Sequence, residues 1–228
     1  ARGRQVDLTT LKLTLQVAAV GTAINLPFAL IASWLLVKRD FRGRFLLDVL
    51  VSLPLAVPPV AIGFFMLILL GRDGVIGGPL HDLLGIDIVF TWFAAALASA
   101  VVSFPLMARA MMVAMGDVDS RLEMSARSLG AGPLRVVMTV TFPLAYRGIL
   151  SGVLLGFIRA LSEFGATIVV AGNTPGRTQT LPLAIYTRIQ VGDNSLALQL
   201  VAVSIGLAVV TLLAHNWLLE RSRAQRST

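Results

Sequence analysis

Arg159 and Glu163 stand four residues apart inside an otherwise apolar stretch, about Gly148 to Ala171. On a helix that spacing puts both on one face. A lone charge at mid-bilayer costs about 2.5–3.5 kcal/mol on insertion scales, so both should face protein or water, and first of all each other. Two readings stand: an ion pair that locks one helix into a bundle, or a pair that rearranges as a pathway alternates between two sides of a membrane. Gly165 and Thr167 lie on the same stretch, and Pro58 and Pro59 on another; these six residues are the candidates for a path or its gate. Pro54, Pro58 and Pro59 forbid an uninterrupted helix. Their freed carbonyls are tolerated in a membrane only against protein or water, so the bend either lines a path or is a plain kink. Arg109, at the inner end of a third stretch, is expected to snorkel to the interface.

Enzymatic chemistry finds little support. The absence of cysteine excludes disulfides, thiol catalysis and cysteine-held metals. The lysines, Lys12 and Lys38, follow Leu11 and Val37, so no phosphate-binding G-x-x-x-x-G-K-[ST] loop exists. His81 and His215 are far apart in sequence and read as interfacial polar residues. No nucleophile–base or paired-Asp arrangement marks an intramembrane protease. Nucleic-acid binding finds no support, since no basic stripe is interleaved with exposed aromatics.

Composition says what must position these residues. Of 228 residues, 56% are hydrophobic and 14% charged, with a mean hydropathy of +0.83. Soluble domains carry about 25% charge, so this chain cannot coat a soluble globule. Leu13–Val37, Val49–Gly71, Ile88–Ala108 and Asn194–Leu219 contain no Asp, Glu, Lys or Arg, and each reaches the roughly 20 residues a spanning helix needs. With the Arg159–Glu163 stretch they make about five transmembrane helices, an all-α integral membrane protein forming one domain over residues 1–228. The first span is longer than a usual signal-peptide core and runs into a basic loop, so it is read as a span.

An odd number of spans places the termini on opposite sides. One side gathers Lys38, Arg39, Arg42 and Arg44, then Arg121, Arg127, Arg135 and Arg147, then Arg221, Arg223 and Arg226. The other has Arg2, Arg4, Lys12, Arg72, Arg177 and Arg188. The positive-inside rule makes the first side cytoplasmic, with the C-terminus inside and the N-terminus outside. The basic N-terminus runs mildly against this, and a helix upstream would account for it. The tail also suits contact with anionic membrane lipid.

The segment Asp117–Pro143 is too long and too patterned for a mere connector. A helix from about Ser120 to Leu129 is expected, with Leu122, Ala126 and Leu129 on one face. Asp119 or Ser120 is the expected N-cap, with Glu123 completing a capping box. Gly130 and Gly132 would stop the helix and Pro133 open the next segment. By periodicity alone this is either an interfacial helix on lipid or a docking element.

The run Glu123-Met124-Ser125-Ala126-Arg127-Ser128-Leu129-Gly130, followed nine residues later by Val140-Thr141-Phe142-Pro143, resembles the EAA loop of ABC importer permeases. The family pattern is E-A-A, three residues, G, nine residues, I-x-L-P; Ser125, Val140 and Phe142 are substitutions. Leu53–Gly63 resembles the L-P-L-x-x-P-P-V-x-x-G segment of the molybdate permeases, and Gly71–Gly77 their G-R-x-G-x-I-G loop. Phe104–Arg109 resembles their F-P-L-M-x-R, Arg159–Thr167 their R-x-L-x-E-F-G-A-T, and Thr180–Tyr186 their T-x-P-x-x-x-Y. The likeness covers about residues 10–220, and sulfate and tungstate permeases share its outline.

The resemblance implies a type I importer permease fold in a bacterial or archaeal plasma (inner) membrane. It implies a homodimer with the path on its two-fold axis. A separate ATPase would carry ATP and Mg, leaving no cofactor in this chain, and an extracytoplasmic protein would bind the oxyanion. Glu123, Ser125, Ala126, Arg127, Leu129, Gly130 and Pro143 would couple to the ATPase. A sulfate or thiosulfate permease is the alternative within the class. A stand-alone channel or ion-driven carrier is the alternative outside it, and no internal repeat supports the carrier.

Overall fold

The computed structural model describes residues 8–224, with side chains to Leu218. Arg2 and Arg4 at the N-terminus and the side chains of the basic tail fall outside the described residues. Among the described residues all regular structure is helical. Four helices are long and apolar enough to cross a membrane: Leu8–Lys38 (α1), Trp92–Gly116 (α5), Pro133–Leu161 and Asn194–Leu218, the last being part of α11 (Asn194–Ala224). A fifth crossing exists if the bent pair α2 (Arg44–Ala56) and α3 (Pro59–Leu70) counts as one span.

The interruption expected at the prolines is present, and the bounds of the fourth span are corrected. Val49–Gly71 is not one rod: α2 and α3 meet at a 110° bend. A residue preceding proline is pushed out of the helical region. Val57 (ψ 132°) and Pro58 (ψ 133°) each precede a proline and are extended, and Pro59 then opens α3 at its first position. Pro54 is absorbed inside α2. The fourth span begins earlier than Gly148. It runs as α7 (Pro133–Val136), a π turn (Val137–Thr141) and α8 (Phe142–Leu161), then breaks before the short α9 (Gly165–Val170).

The core is a sandwich of α1, α5 and α8, with α11 laid on α8. Lipid supplies no hydrophobic drive between helices, so close backbone approach and buried hydrogen bonds must hold them. Between α5 and α8 the approach is a register of glycines on methionines. A Cβ added at Gly148 would lie 2.5 Å from the Ala114 Cβ, at Gly152 3.1 Å from the Met111 Cγ, and at Gly156 3.0 Å from the Met107 Cβ. Met107, Met111 and Met115 are fully buried. Between α1 and α5, Asn25 donates to the Ala100 carbonyl (2.8 Å) and the Ser103 Oγ (3.1 Å), and Ser33 donates to the Ala108 carbonyl (2.9 Å).

Short elements close the two ends. At one end lie α4 (Gly77–Leu84) and α10 (Leu181–Gln190), where the Leu181 N–H donates to the Thr14 Oγ1 at 2.8 Å. That bond docks the start of α10 on α1. At the other end α6 (Ser120–Ser128) sits beside the last residue of α1.

Candidate functional site

The two breaks in the long helices face one another. A Cβ at Gly165 would meet the Pro59 Cβ at 3.1 Å, and one at Gly63 would meet the Ala166 carbonyl oxygen at 2.6 Å. The start of α3 thus crosses the start of α9 at backbone contact. Pro58 is exposed and Pro59 half-buried at this crossing. Thr167, an expected path residue, is instead fully buried in the chain's own core, where its hydroxyl has no partner.

Arg159 and Glu163 do pair, at 2.9 Å between Nη1 and Oε2. The pair does not lie along an unbroken helix: α8 ends at Leu161, and Glu163 belongs to the break. The other carboxylate oxygen accepts from the Ala166 N–H at 2.8 Å, holding the first turn of α9. Glu163 is nearly inaccessible and spans both sides of the break. Both of its carboxylate oxygens are therefore engaged. Arg109 pairs with Asp48 on α2 at 2.8 Å and donates to Ser52, in a place that is half exposed.

The Asp117–Pro143 segment forms its expected helix with one reversal. Asp119 is the N-cap, its carboxylate accepting from the Arg121 N–H at 2.8 Å. At the other end the Gly130 N–H reaches the Arg127 carbonyl and the Ala131 N–H the Ala126 carbonyl. That double closure needs a left-handed residue, and Gly130 has φ +84°. Glu123 makes no capping box: it is 5% exposed, turned into the body of the protein. Leu122, Met124 and Leu129 face outward, Leu129 at 89% exposure.

The reversal has a reading in the sequence. Counted back three residues from Gly130, the family's E-A-A falls on Met124-Ser125-Ala126, so Glu123 stands one residue ahead of the acid's usual place. One residue is about 100° around a helix. That rotation carries Glu123 from the exposed face to the inner one. Its Oε1 lies 3.0 Å from the Lys38 Nζ and accepts from the Thr141 Oγ1 at 2.7 Å. Lys38 lies outside every motif, and Thr141 fills the unspecified position of I-x-L-P. Thr141 closes the π turn, where the Phe142 N–H bonds the Val137 carbonyl. Pro143 explains this turn: its ring would strike the carbonyl four residues back in a regular α-helix, and one extra residue relieves the clash.

The histidines are placed as well. His215 is buried on α11, its Nδ1 2.7 Å from the Ser151 Oγ of α8, so it is an interhelical tie and not an interfacial residue. His81 lies 3.1 Å from Asp87, which also takes a two-pronged contact from Arg72 (3.0 and 2.6 Å). The Arg72 hydrogen bonds hold the Asp87 carboxyl below the usual carboxylate range, and Asp87 in turn raises Arg72. At the same end, Lys12, Gln16, Trp92 and Arg177 line an open cleft of about 450 Å³. Among the described residues no group of His, Asp and Glu is arranged to hold a metal.

Comparison with known proteins agrees with this architecture. The molybdenum transport system permease protein of Escherichia coli K12 is 48% identical over 94% of this chain and 95% of its own length. The corresponding permease of Haemophilus influenzae is 41% identical over 95% of both chains. A probable sulfate transport system permease of Nephroselmis olivacea is 33% identical over 96% of this chain and 76% of its own. Among solved structures, an inward-facing methionine ABC transporter matches with TM-score 0.70 at 17% identity, covering 94% of this chain and 93% of that one. At that identity the match shows the fold alone, that of ABC importer permeases. Residues 11–224 match the family described as binding-protein-dependent transport system inner membrane component, and the chain belongs to that family.

Proposed function

We propose that this chain is the membrane permease of an ATP-driven oxyanion importer, with molybdate as cargo and tungstate as the close analogue. One observation carries the choice of cargo: 48% identity to a molybdenum permease over nearly the whole chain, against 33% to a sulfate permease. Two copies would enclose the path, an ATPase would bind on the inner side, and an oxyanion-binding protein would deliver cargo outside. The positive-inside rule sets that orientation, with the C-terminus in the cytoplasm of a bacterial or archaeal cell.

The docking element in this reading is α6. Its apolar side chains Leu122 and Met124, with Leu129 at its C-cap, point away from the bundle, and Ser125 and Arg127 are exposed beside them. A groove on the ATPase is the partner that such a face needs. Gly130 sets the exit of the helix, and Pro143 sets the π turn behind it. At the crossing of α3 and α9, Pro58 and Pro59 are the residues that would border the path. The Glu163–Arg159 pair would fix the backbone there.

The test is uptake into proteoliposomes holding this chain, the ATPase and the binding protein. ATP-dependent accumulation of molybdate, outcompeted by tungstate and not by sulfate, is the expected result. Preference for sulfate would move the chain to the sulfate class. Uptake without ATPase or ATP would favour a stand-alone carrier.

A further inference from the structure

The tie around Glu123 joins three elements that are not neighbours in sequence. Lys38 is the last residue of α1, Glu123 is in α6, and Thr141 ends the π turn that leads into α8. The lysine and the hydroxyl converge on one carboxylate oxygen, at 3.0 and 2.7 Å. The side chains of Lys38 and Glu123 are 12% and 6% exposed, so water screens the pair little. The space left among Trp34, Lys38, Glu123, Arg127, Val137 and Thr141 is about 10 Å³, room for at most one water. Arg39 stacks over Trp34 beside it, its guanidinium carbon 5.0 Å from the ring centroid.

Apart from this tie α6 is held by two short connectors, Asp117–Asp119 and Leu129–Gly132, the second containing two glycines, and by packing on α7 and the π turn. Those connectors reach α5 and α7 but not α1. A push on the exposed face of α6 reaches α1 through Lys38, and reaches the start of α8 through Thr141. Breaking a buried pair by removing one partner leaves an uncompensated charge, so Lys38 and Glu123 depend on each other.

We propose that Lys38 is a positioning residue for energy coupling: through Glu123 it makes α1 move with α6, so that the ATPase and the membrane bundle change state together. This rests on the reading that α6 seats on an ATPase. The experiment is the ATPase rate of the full complex in nanodiscs, with and without molybdate-loaded binding protein, read as the ratio of the two.

Lys38→Met is expected to lower that ratio about fivefold or more, the lower end of ordinary coupling energies, while the ATPase still co-purifies. Lys38→Arg is expected to keep most of the ratio. The Lys38→Glu loss is expected to be partly restored when Glu123→Lys is added. Thr141→Val, which leaves the charges in place, is expected to lower the ratio less, and it serves as the test if Lys38→Met does not reach the membrane. A wild-type ratio in Lys38→Met, or in Thr141→Val where that variant stands in, overturns the proposal. So does loss of the ATPase from the complex in either. A native complex with no stimulation at all would instead overturn the importer reading beneath it.

Discussion

The seam between α5 and α8 and the flank formed by α2, α3 and α11 are both apolar in sequence and opposite in structure. In the seam, methionines and glycines interlock so closely that an added Cβ would be 2.5–3.1 Å from its nearest neighbour. On the flank, Leu50, Leu53, Phe64, Phe65 and Ile68, with Leu198, Ile205, Val210 and Leu213 on α11, face outward. A high hydropathy does not mark burial here, because lipid is as good a solvent for leucine as protein is. Small residues do. The glycines at 148, 152 and 156 mark contact within one copy, and the large side chains mark what lipid or a second copy covers.

The largest effect should come from filling the seam. Gly152→Leu adds a side chain where Met111 already stands 3.1 Å from a bare Cβ. Overpacking of this kind costs about 1–3 kcal/mol even where neighbours can yield, and here a backbone carbonyl, that of Met107, lies 3.3 Å away as well. A fluorescent fusion run on size exclusion in mild detergent should lose its monodisperse peak. Val210→Leu on the flank, as a control, should leave the peak in place. Equal behaviour of the two variants would break the distinction.

Next in size is the break that joins the two regions. Glu163→Gln removes the charge that neutralises Arg159, a loss of about 3 kcal/mol if the pair counts as buried. The partial exposure of Arg159, 30%, reduces it. The expected result is a lower unfolding temperature in detergent, with Arg159→Met/Glu163→Gln recovering part of the loss. A double variant worse than the single one would show that Arg159 has a role apart from the pair.

The flank's own polar spot should matter less. Arg109→Met leaves Asp48 and Ser52 without their partner in a place that is already half exposed. Exposed pairs are worth about 1 kcal/mol or less, so thermal stability should barely move. A large fall would mean that a second copy buries this spot, which would sharpen the picture of the flank as an interface.

The spans and the helix at 120–128 were legible because apolar runs and caps are local. So was the break at Pro58, since each proline restricts the residue before it. Three features were not legible. Glu163 caps α9 through a turn that its helical spacing from Arg159 concealed. His215 looked interfacial because Ser151 lies far away in sequence. Glu123 faces inward because of a one-residue offset that the motif's outline hides but a count from Gly130 shows, and its partners Lys38 and Thr141 are set by tertiary contact alone.

The smallest effect is expected where neither region reaches, in the loop tie of Arg72, Asp87 and His81. Here the sign follows from the direction of the shift. Asp87 is held below the ordinary carboxylate range by Arg72, so its contribution is fully present above the unfolded value, near 4. It is lost as pH falls through the lowered folded value. The groups are open to solvent, so the loss is small and salt should shrink it further. Asp87→Asn should therefore leave the unfolding temperature at neutral pH nearly unchanged and flatten only its decline in acid. If instead the variant abolished stimulation by the binding protein at neutral pH, the tie would belong to the outer docking surface. The contrast between a tight seam and a passive periphery would then have to be redrawn.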